Sequence, residues 1–394
     1  MKKHDTPLRS EDVRQKNEKL ILKAIQRSGG VSQSEMVAFT GLKAPTVLRI
    51  FSYLEERGLI MVAPYSDQHR KQAEKKGRKP VYYVVNPKAH YTVGIEFWAS
   101  QIAIILTDFT RQVIYEKTLS NVKIDKAEVL VPTLTELLDE AIDVTGVERS
   151  RILGIGVGAP GRIDTEEGRI IFYGRIRGMV SLPLREMLEK AFDIPVFVSN
   201  NASVVAVNAY RRGVARDSKS LITVLIRSGV GGAFISEGNL FLVQGRTAME
   251  IGHSSIDMHG PECVCGTQGC LEAYISEQVL LEEAAELLGI GTLPELDHLL
   301  EEKHAEALAL VRRKGRLLSV EMRSLNRIFS PDSFLVMTRF PHISEVYAEE
   351  VRNNLRQDFF CQADDIAVYS DVYDSVEAGR GAAELVFEDY FTTP

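Results

Sequence analysis

Three of the four cysteines in this 394-residue chain fall within one short stretch, Cys263-Val264-Cys265-Gly266-Thr267-Gln268-Gly269-Cys270. Thiolates and imidazoles together hold borderline divalent cations, and His253 lies just upstream. Gly266 and Gly269 let so short a loop turn back until its thiols converge. Three cysteines and one histidine make a closed tetrahedral set that suits Zn2+. Four protein ligands leave no position for a catalytic water, so the metal is read as structural, one per chain. A disulfide is the alternative, but Cys263 and Cys265 are too close along the chain to bridge comfortably. Two carboxylates, Glu250 and Glu272, flank the ligands. A metal that fixes this loop also fixes them, and fixed carboxylates can read a polyhydroxylated ligand; the competing role is simply to brace the loop. The remaining Cys361 reads as a packing thiol.

The elements that must position these groups divide at a change of charge. Residues 1–90 carry 18 Lys and Arg against 9 Asp and Glu, a net +9, while the rest of the chain carries 29 against 45, a net −16. A basic first quarter on an acidic body points to an anionic polymer as partner of the first quarter alone. Hydrophobic residues make up 45% and charged residues 26%, ordinary values for a globular chain of two or three domains. No N-terminal apolar run reads as a signal peptide, and no stretch approaches the ~20 apolar residues of a membrane span. With so few cysteines, the cytoplasm is the expected compartment and no membrane partner is implied.

The basic quarter has the pattern of a winged helix-turn-helix. Leu20, Ile21, Ala24 and Ile25 form a helical stripe over 17–27, closed by Gly29-Gly30. Ser32-Gln33-Ser34-Glu35 is a capping box, with Val31 placed for a hydrophobic staple, and predicts a short helix to about Thr40. Gly41 makes the turn and Pro45 opens the next helix, whose apolar residues are Val47, Leu48, Phe51 and Leu54. Such a second helix enters the major groove by its N-terminal end, so Lys43, Thr46 and Arg49 are the expected DNA contacts. Strands at 59–62 and 81–85 make a wing. Arg78 and Lys79 in Gly77-Arg78-Lys79-Pro80 stand at its tip, where an arginine can enter a narrow minor groove. A three-helix domain with solvated charges, and a plain interdomain linker, are the competing readings.

From Tyr91 onward, strands at 92–97, 102–107 and 112–116, a helix at 129–144, and strands at 152–157 and 195–198 suggest an α/β lobe. A second set begins with strands at 221–226 and 232–236, continues through the cysteine loop, and is then mostly helical. The doubled pattern implies two similar lobes, and ligands of such sheets bind beyond the carboxyl ends of the strands. Gly158-Ala159-Pro160-Gly161, Asn200-Asn201 and Ser228-Gly229-Val230-Gly231 all fall at such ends.

Gly154-Ile155-Gly156-Val157-Gly158-Ala159-Pro160-Gly161, Asn200-Asn201-Ala202, Ser228-Gly229-Val230-Gly231, Glu250-Ile251-Gly252-His253 and the cysteine loop ending Leu271-Glu272 occur here in that order. The set resembles the ROK family (repressors, open reading frames, kinases), which has a sugar-kinase/actin-like fold. The likeness runs along nearly the whole chain, including an N-terminal domain typical of the repressor branch. It implies Zn2+ on His253, Cys263, Cys265 and Cys270. It also implies a sugar between the lobes, held by Asn200, Asn201, Glu250, His253 and Glu272 near Gly158, Pro160 and Gly161. A helix N-cap is the competing role for Asn200. The domains would then be 1–87, a winged helix-turn-helix; 88–200, a first lobe to which a C-terminal helix at 375–392 returns; and 201–374, a second lobe with the zinc loop.

The departures from the family's kinases are as informative. Where those enzymes have an Asp followed by a Gly-Gly-Thr phosphate loop, this chain has Glu96-Phe97-Trp98-Ala99, and the indole of its single Trp should obstruct a phosphate. Arg227 replaces the first glycine of a second phosphate loop, and Met337-Thr338-Arg339 replaces a late Gly-Gly pair. Asn201 stands where the family has its base Asp, and an amide cannot deprotonate a hydroxyl at neutral pH. Arg227 suits either a phosphosugar or an ion pair between lobes. The expectation is therefore no catalysis, but a sugar-responsive regulator, most simply a repressor of carbohydrate-utilisation genes. A homodimer or tetramer would bind a near-palindromic operator, and a sugar or sugar phosphate would be the effector. The alternatives are an ATP-dependent sugar kinase with a DNA-binding domain, and a regulator released by a partner protein.

Overall fold

The computed structural model describes residues 10–63, 80–122, 124, 126–241, 249–358 and 366–392. The head runs α1 (Ser10–Ser28), β1 (Val31–Ser32), α2 (Gln33–Thr40), α3 (Ala44–Glu56), β2 (Ile60–Val62) and β3 (Tyr82–Val85). The Ser32 hydroxyl accepts from the Glu35 N–H at 3.3 Å and the Glu35 carboxylate accepts from the Ser32 N–H at 2.8 Å, the reciprocal cap expected at the start of α2. Gly41, at φ 68°, closes α2 and redirects the chain into α3, where Pro45 sits in the first turn. Val47, Ile50, Phe51 and Leu54 of α3 are buried against Ile21 and Ile25 of α1. β3 pairs with β1 on one side and β2 on the other, completing a winged helix-turn-helix. Leu48 departs from the expected apolar face: it is 53% exposed, because one step of ~100° past Val47 carries it off the core side. Arg78 and Lys79 lie outside the described residues.

The body contains the same sheet twice. In the first lobe β4 (Tyr91–Trp98), β5 (Gln101–Asp108) and β6 (Val113–Ser120) form an antiparallel meander. After α4 (Ala127–Thr145), β7 (Ile152–Ala159) joins parallel to β4. A small sheet follows, of β8 (Arg162–Asp164), β9 (Arg169–Phe172) and β10 (Val180–Leu182), then α5 (Leu184–Phe192). β11 (Val196–Asn200) pairs parallel to β7 and leads directly into α6 (Asn201–Arg211). The second lobe repeats the scheme with the meander β12 (Ser220–Ile226), β13 (Val230–Ser236) and β14 (Asn239–Leu240). Helices α7 (Glu272–Ile275), α8 (Glu277–Leu288), α9 (Leu293–Glu301) and α10 (Ala305–Phe329) precede β15 (Ser333–Thr338), parallel to β12. Then α11 (Pro341–Arg356) leads to β16 (Ala367–Val372), parallel to β15, and α12 (Ser375–Thr392) ends the fold. The strand orders β11-β7-β4-β5-β6 and β16-β15-β12-β13-β14 are the same. β8 to β10 and β16 were not expected from the sequence: they are short or lack clean alternation, the weakest strand signals.

Each sheet has its own apolar core. Between the sheets lie α6, packed on the second-lobe strands through Ala202, Val205, Ala206 and Ala209, and α12. α12 approaches its neighbours at backbone distance. A Cβ on Gly94 of β4 would stand 2.0 Å from the Gly379 carbonyl oxygen, one on Gly156 of β7 would stand 1.8 Å from that of Ala382, and one on Gly381 would stand 1.8 Å from that of Val204 in α6. Phe387 and Phe391 near the end of α12 belong to the same core as α1 and α3 of the head. No helix among the described residues is long and apolar enough to cross a membrane.

Substituting Gly156 by Ala should therefore cost about 1–3 kcal/mol of stability, the range for overpacking. Gly291→Ala, where a Cβ would meet nothing within 4 Å, should be nearly neutral. Urea unfolding of the two variants beside the parent checks the contrast.

Candidate functional site

β11 ends at Asn200 and α6 begins at Asn201, so both amides stand at the junction of the lobes. The Asn200 side chain caps α6 by accepting from the Ala202 N–H at 2.8 Å, and its amide donates to the Gly161 carbonyl at 2.6 Å. It thus holds the Gly158-Ala159-Pro160-Gly161 turn against the helix start. Asn201 is 4% exposed; its amide donates to the Phe97 carbonyl at 3.1 Å, while its Oδ1 is buried with no hydrogen-bond partner. A Cβ on Gly158 would stand 3.6 Å from that Oδ1. The one unsatisfied acceptor among these groups therefore sits where the family's base Asp was expected, beside the glycine turn.

Glu272 approaches from the second lobe. Its carboxylate accepts from the Val230 N–H at 2.9 Å, and a Cβ on neighbouring Gly229 would meet it at 3.1 Å. A Cβ on Gly231 would touch Ala202, so this turn also packs on the start of α6. The hydrogen bonds and packing thus join Gly158, Gly161, Asn200, Asn201 and Glu272 into one neighbourhood, with Pro160 buried in the same turn. Glu250 is exposed and heads a single 3-10 turn, where its carbonyl accepts from the His253 N–H at 2.9 Å.

That turn delivers His253 to the three cysteines. The four ligand atoms all lie within 4.8 Å of one another. His253 Nδ1 is 3.6 Å from Cys263 Sγ, and Cys265 Sγ is 3.6 Å from Cys270 Sγ. Ligands of a tetrahedral zinc with bonds of ~2.3 Å stand ~3.8 Å apart, so the donor set and spacing fit a metal of that kind. The loop is laced to the chain around it: Cys263 N–H donates to Thr267 at 2.8 Å and Leu271 N–H to Ser254 at 3.0 Å. Gly269, at φ 70°, would place a Cβ 1.5 Å from the Asp257 carbonyl oxygen, so only glycine turns the loop here.

The lobes also meet through a buried ion pair. Glu96, fully buried in β4, meets Arg227 of the second lobe at 3.3 Å and accepts from the Tyr373 hydroxyl at 2.6 Å. The Arg227 guanidinium lies 4.8 Å from the Trp98 ring centroid and 4.3 Å from that of Tyr373. Arg339, 5.3 Å from the Trp98 ring, donates both ways to Glu277 at 2.7 and 2.6 Å. Burial raises the Glu96 carboxyl above its ordinary range, while Arg227 and the Tyr373 hydroxyl pull it back. Arg227 thus takes the ion-pair role between lobes. Arg175 adds a second cross-link, donating at 2.5 Å to the Ser228 carbonyl. Sequence reasoning missed Tyr373, Glu277 and Arg175: Tyr373 follows the strand that had no clear pattern, and no spacing rule pairs groups so far apart along the chain.

In the head, Lys43 and Arg49 are exposed and Thr46 is half-buried, all at the N-terminal half of α3, whereas Glu55 and Glu56 are exposed at its other end. Exposed cations thus stand at the N-terminal end of the helix, the end that approaches the major groove in a helix-turn-helix, while Arg57 accompanies the carboxylates at the other end.

A sequence model of the ROK family matches residues 92–388. The chain belongs to the ROK family. A model of a winged helix-turn-helix DNA-binding domain matches residues 14–61. Among ROK-family relatives, a xylose repressor of Caldicellulosiruptor bescii is 27% identical over 363 residues, 88% of this chain and 89% of the relative. The DNA-binding transcriptional repressor Mlc of Escherichia coli is 26% identical over 70% of this chain and 66% of its own length. A crystal structure of a ROK family transcriptional regulator, described as a homologue of Mlc, superposes with a TM-score of 0.81 at 19% identity, covering 96% of this chain and 97% of that one. A ROK glucokinase from Streptomyces griseus, solved with glucose and an ATP analogue, superposes with a TM-score of 0.65 at 23% identity over 76% of this chain and 99% of its own. At these identities the structures establish a shared fold, and the kinase matches only about three quarters of this chain.

Replacing Glu96 by Ala would leave Arg227 as an unpaired buried cation. A loss of about 3–5 kcal/mol is expected, read from urea unfolding followed by the emission of Trp98, the only tryptophan.

Proposed function

We propose that this chain is a sugar-responsive DNA-binding repressor of carbohydrate-utilisation genes, acting in the cytoplasm as a homodimer on a near-palindromic operator. The carrying observation is the contrast between the two halves of the cleft. The half with Asn201, Glu272 and the glycine turn keeps an unsatisfied acceptor and a carboxylate able to take sugar hydroxyls. The half where a kinase would hold nucleotide is occupied by Trp98, Arg227 and Glu96. Lys43, Thr46 and Arg49 would contact the operator. Asn200, Asn201, Glu250, His253 and Glu272, with Gly158, Pro160 and Gly161, would form the effector site. The relatives named xylose repressors make D-xylose the first effector to test. A bound sugar can act on DNA affinity only through unequal affinity for two arrangements of the lobes.

Zinc on His253, Cys263, Cys265 and Cys270 would be structural. With Nδ1 of His253 turned to the thiols, Nε2 is left to donate to a sugar hydroxyl, and the loop would hold Glu272 in register.

The direct test is fluorescence anisotropy of the purified chain with labelled DNA from upstream of its own reading frame, with D-xylose titrated in. Tight, salt-sensitive binding that the sugar reverses is expected, since phosphate contacts release counterions. DNA affinity that no sugar alters would overturn the reading. A parallel ATP-consumption assay with D-xylose and D-glucose should stay at background, because Asn201 offers no base; appreciable turnover would favour the ROK kinase reading instead.

Cys265→Ser should lose the metal, measured by elemental analysis of the purified chain, and the sugar response with it. Cys265 is the exposed member of the set, so this change perturbs packing least. A variant that keeps its metal and its full response would remove the ligand assignment.

A further inference from the structure

The two ends of α6 touch different things. Its first residues, Asn201 and Ala202, line the proposed effector site, and its last residue is Arg211, followed by Arg212. Between them the helix is a rod of about 16 Å. Arg211 pairs with Glu388 of α12, and Arg212 lies 3.8 Å from Glu384 of the same helix. The Glu384 side chain is 6% exposed and is shared: Arg111, at the turn between β5 and β6, meets it at 2.7 Å.

Arg111 reaches onward into the head. Its guanidinium donates to the Gln26 side-chain oxygen of α1 at 2.5 Å and lies 4.6 Å from the ring centroid of Phe387. Gln26 in turn donates to the Phe109 carbonyl at 2.7 Å. Arg111 has φ 68°, a left-handed conformation that a long side chain rarely adopts, so the surroundings hold it there. Lys19 of α1 caps the end of α12 by donating to the Tyr390 carbonyl at 2.6 Å. Alongside the ions runs tight packing: Gly381 of α12 sits on the backbone of Val204 in α6, with no room for slip.

We propose that this junction, in which the buried Glu384 faces both Arg212 and Arg111, couples the effector site to the DNA-binding head. The proposal rests on the sugar-responsive reading above. A shift of α6 at its Asn201 end is passed to α12 through Arg211, Arg212 and the Gly381 contact. α12 carries it to the head through Arg111, Gln26 and the aromatic core around Phe387 and Phe391. Glu384, Phe387 and Gly381 are buried, Arg211, Glu388 and Gln26 are partly so and Arg212 is exposed, so motion of α6 without α12 would separate these ion pairs and open a void at the Gly381 contact. Arg211, Arg212 and Gln26 act as positioning residues: in this scheme they touch neither sugar nor DNA.

The test uses the full chain, labelled operator DNA and D-xylose, with N-acetyl-D-glucosamine as second probe. Operator affinity is measured by anisotropy and sugar affinity by the emission of Trp98. For the parent, sugar should change operator affinity at least about five-fold, the low end of ordinary coupling. In the double variant Arg211→Ala/Arg212→Ala that change should fall toward one-fold, with sugar affinity and sugar-free operator affinity within about two-fold of the parent. Arg211→Lys/Arg212→Lys should restore most of the response, because it returns the charges to Glu384 and Glu388. Gln26→Ala probes the same path from the head side and should blunt the response likewise, which covers the case of a poorly folded double variant. Full response in both the double variant and Gln26→Ala would overturn the coupling role. A parent that binds operator but answers to neither sugar would sink the effector reading and this proposal with it, whereas the first pattern leaves the effector reading standing.

Discussion

Helix α12 touches the first sheet, α6 and the head at once, and it comes so close to the sheet and to α6 only where side chains are missing. Gly94 in β4, Gly156 in β7 and Gly381 in α12 itself allow contacts that a single Cβ would block. The first lobe, α6 of the interlobe layer and the head's apolar core are all referred to this one helix. A close-packed interior transmits displacement instead of absorbing it, so elements seated on a common helix at backbone distance cannot move independently. The repeated sheet order provides the frame, and α12 turns two similar lobes and a separate head into one connected body.

The two-lobed fold is one that a ROK glucokinase shares. Here the lobes are tied by groups of the chain itself, with Glu96 and Arg227 paired in the buried centre and two guanidiniums close to the Trp98 ring. A buried ion pair of this sort contributes little net stability over apolar packing, but losing either partner is costly. It therefore fixes which groups face each other more than it strengthens the fold. The other half of the cleft keeps polar groups that are satisfied by backbone, with one buried amide oxygen left over at Asn201. An orphan acceptor in a native site is either a cost or a place for a ligand hydroxyl, and its position beside the glycine turn suits the second.

The cysteine loop serves the same cleft from outside it. Its thiols and His253 converge by local turns, while Glu272, just past the last thiol, reaches back to the Val230 N–H that flanks the start of α6. The cluster that could hold a metal and the carboxylate that meets the Val230 N–H are thus two ends of one short piece of chain.

Much of this was written in the sequence, and in each case the signal was local. The capping box of α2, Gly41 and Pro45 announce the helix-turn-helix because caps and turns are settled by residues a few positions apart. The spacing of Cys263, Cys265 and Cys270 announces a ligand set because three of its members share one loop, and the doubled strand pattern announces two lobes. Leu48 was misplaced because an apolar side chain on a helix flank satisfies the pattern without being buried. What only the tertiary structure decided is which distant groups meet. Glu96 with Arg227 and Tyr373, Glu277 with Arg339, and Glu384 with both Arg111 and Arg212 are joined across long stretches of chain. No periodicity encodes such pairs, because a charged side chain reads the same whether it faces water or a buried partner. Only the packing of the lobes, α12 and the head on one another brings these partners together and makes the choice.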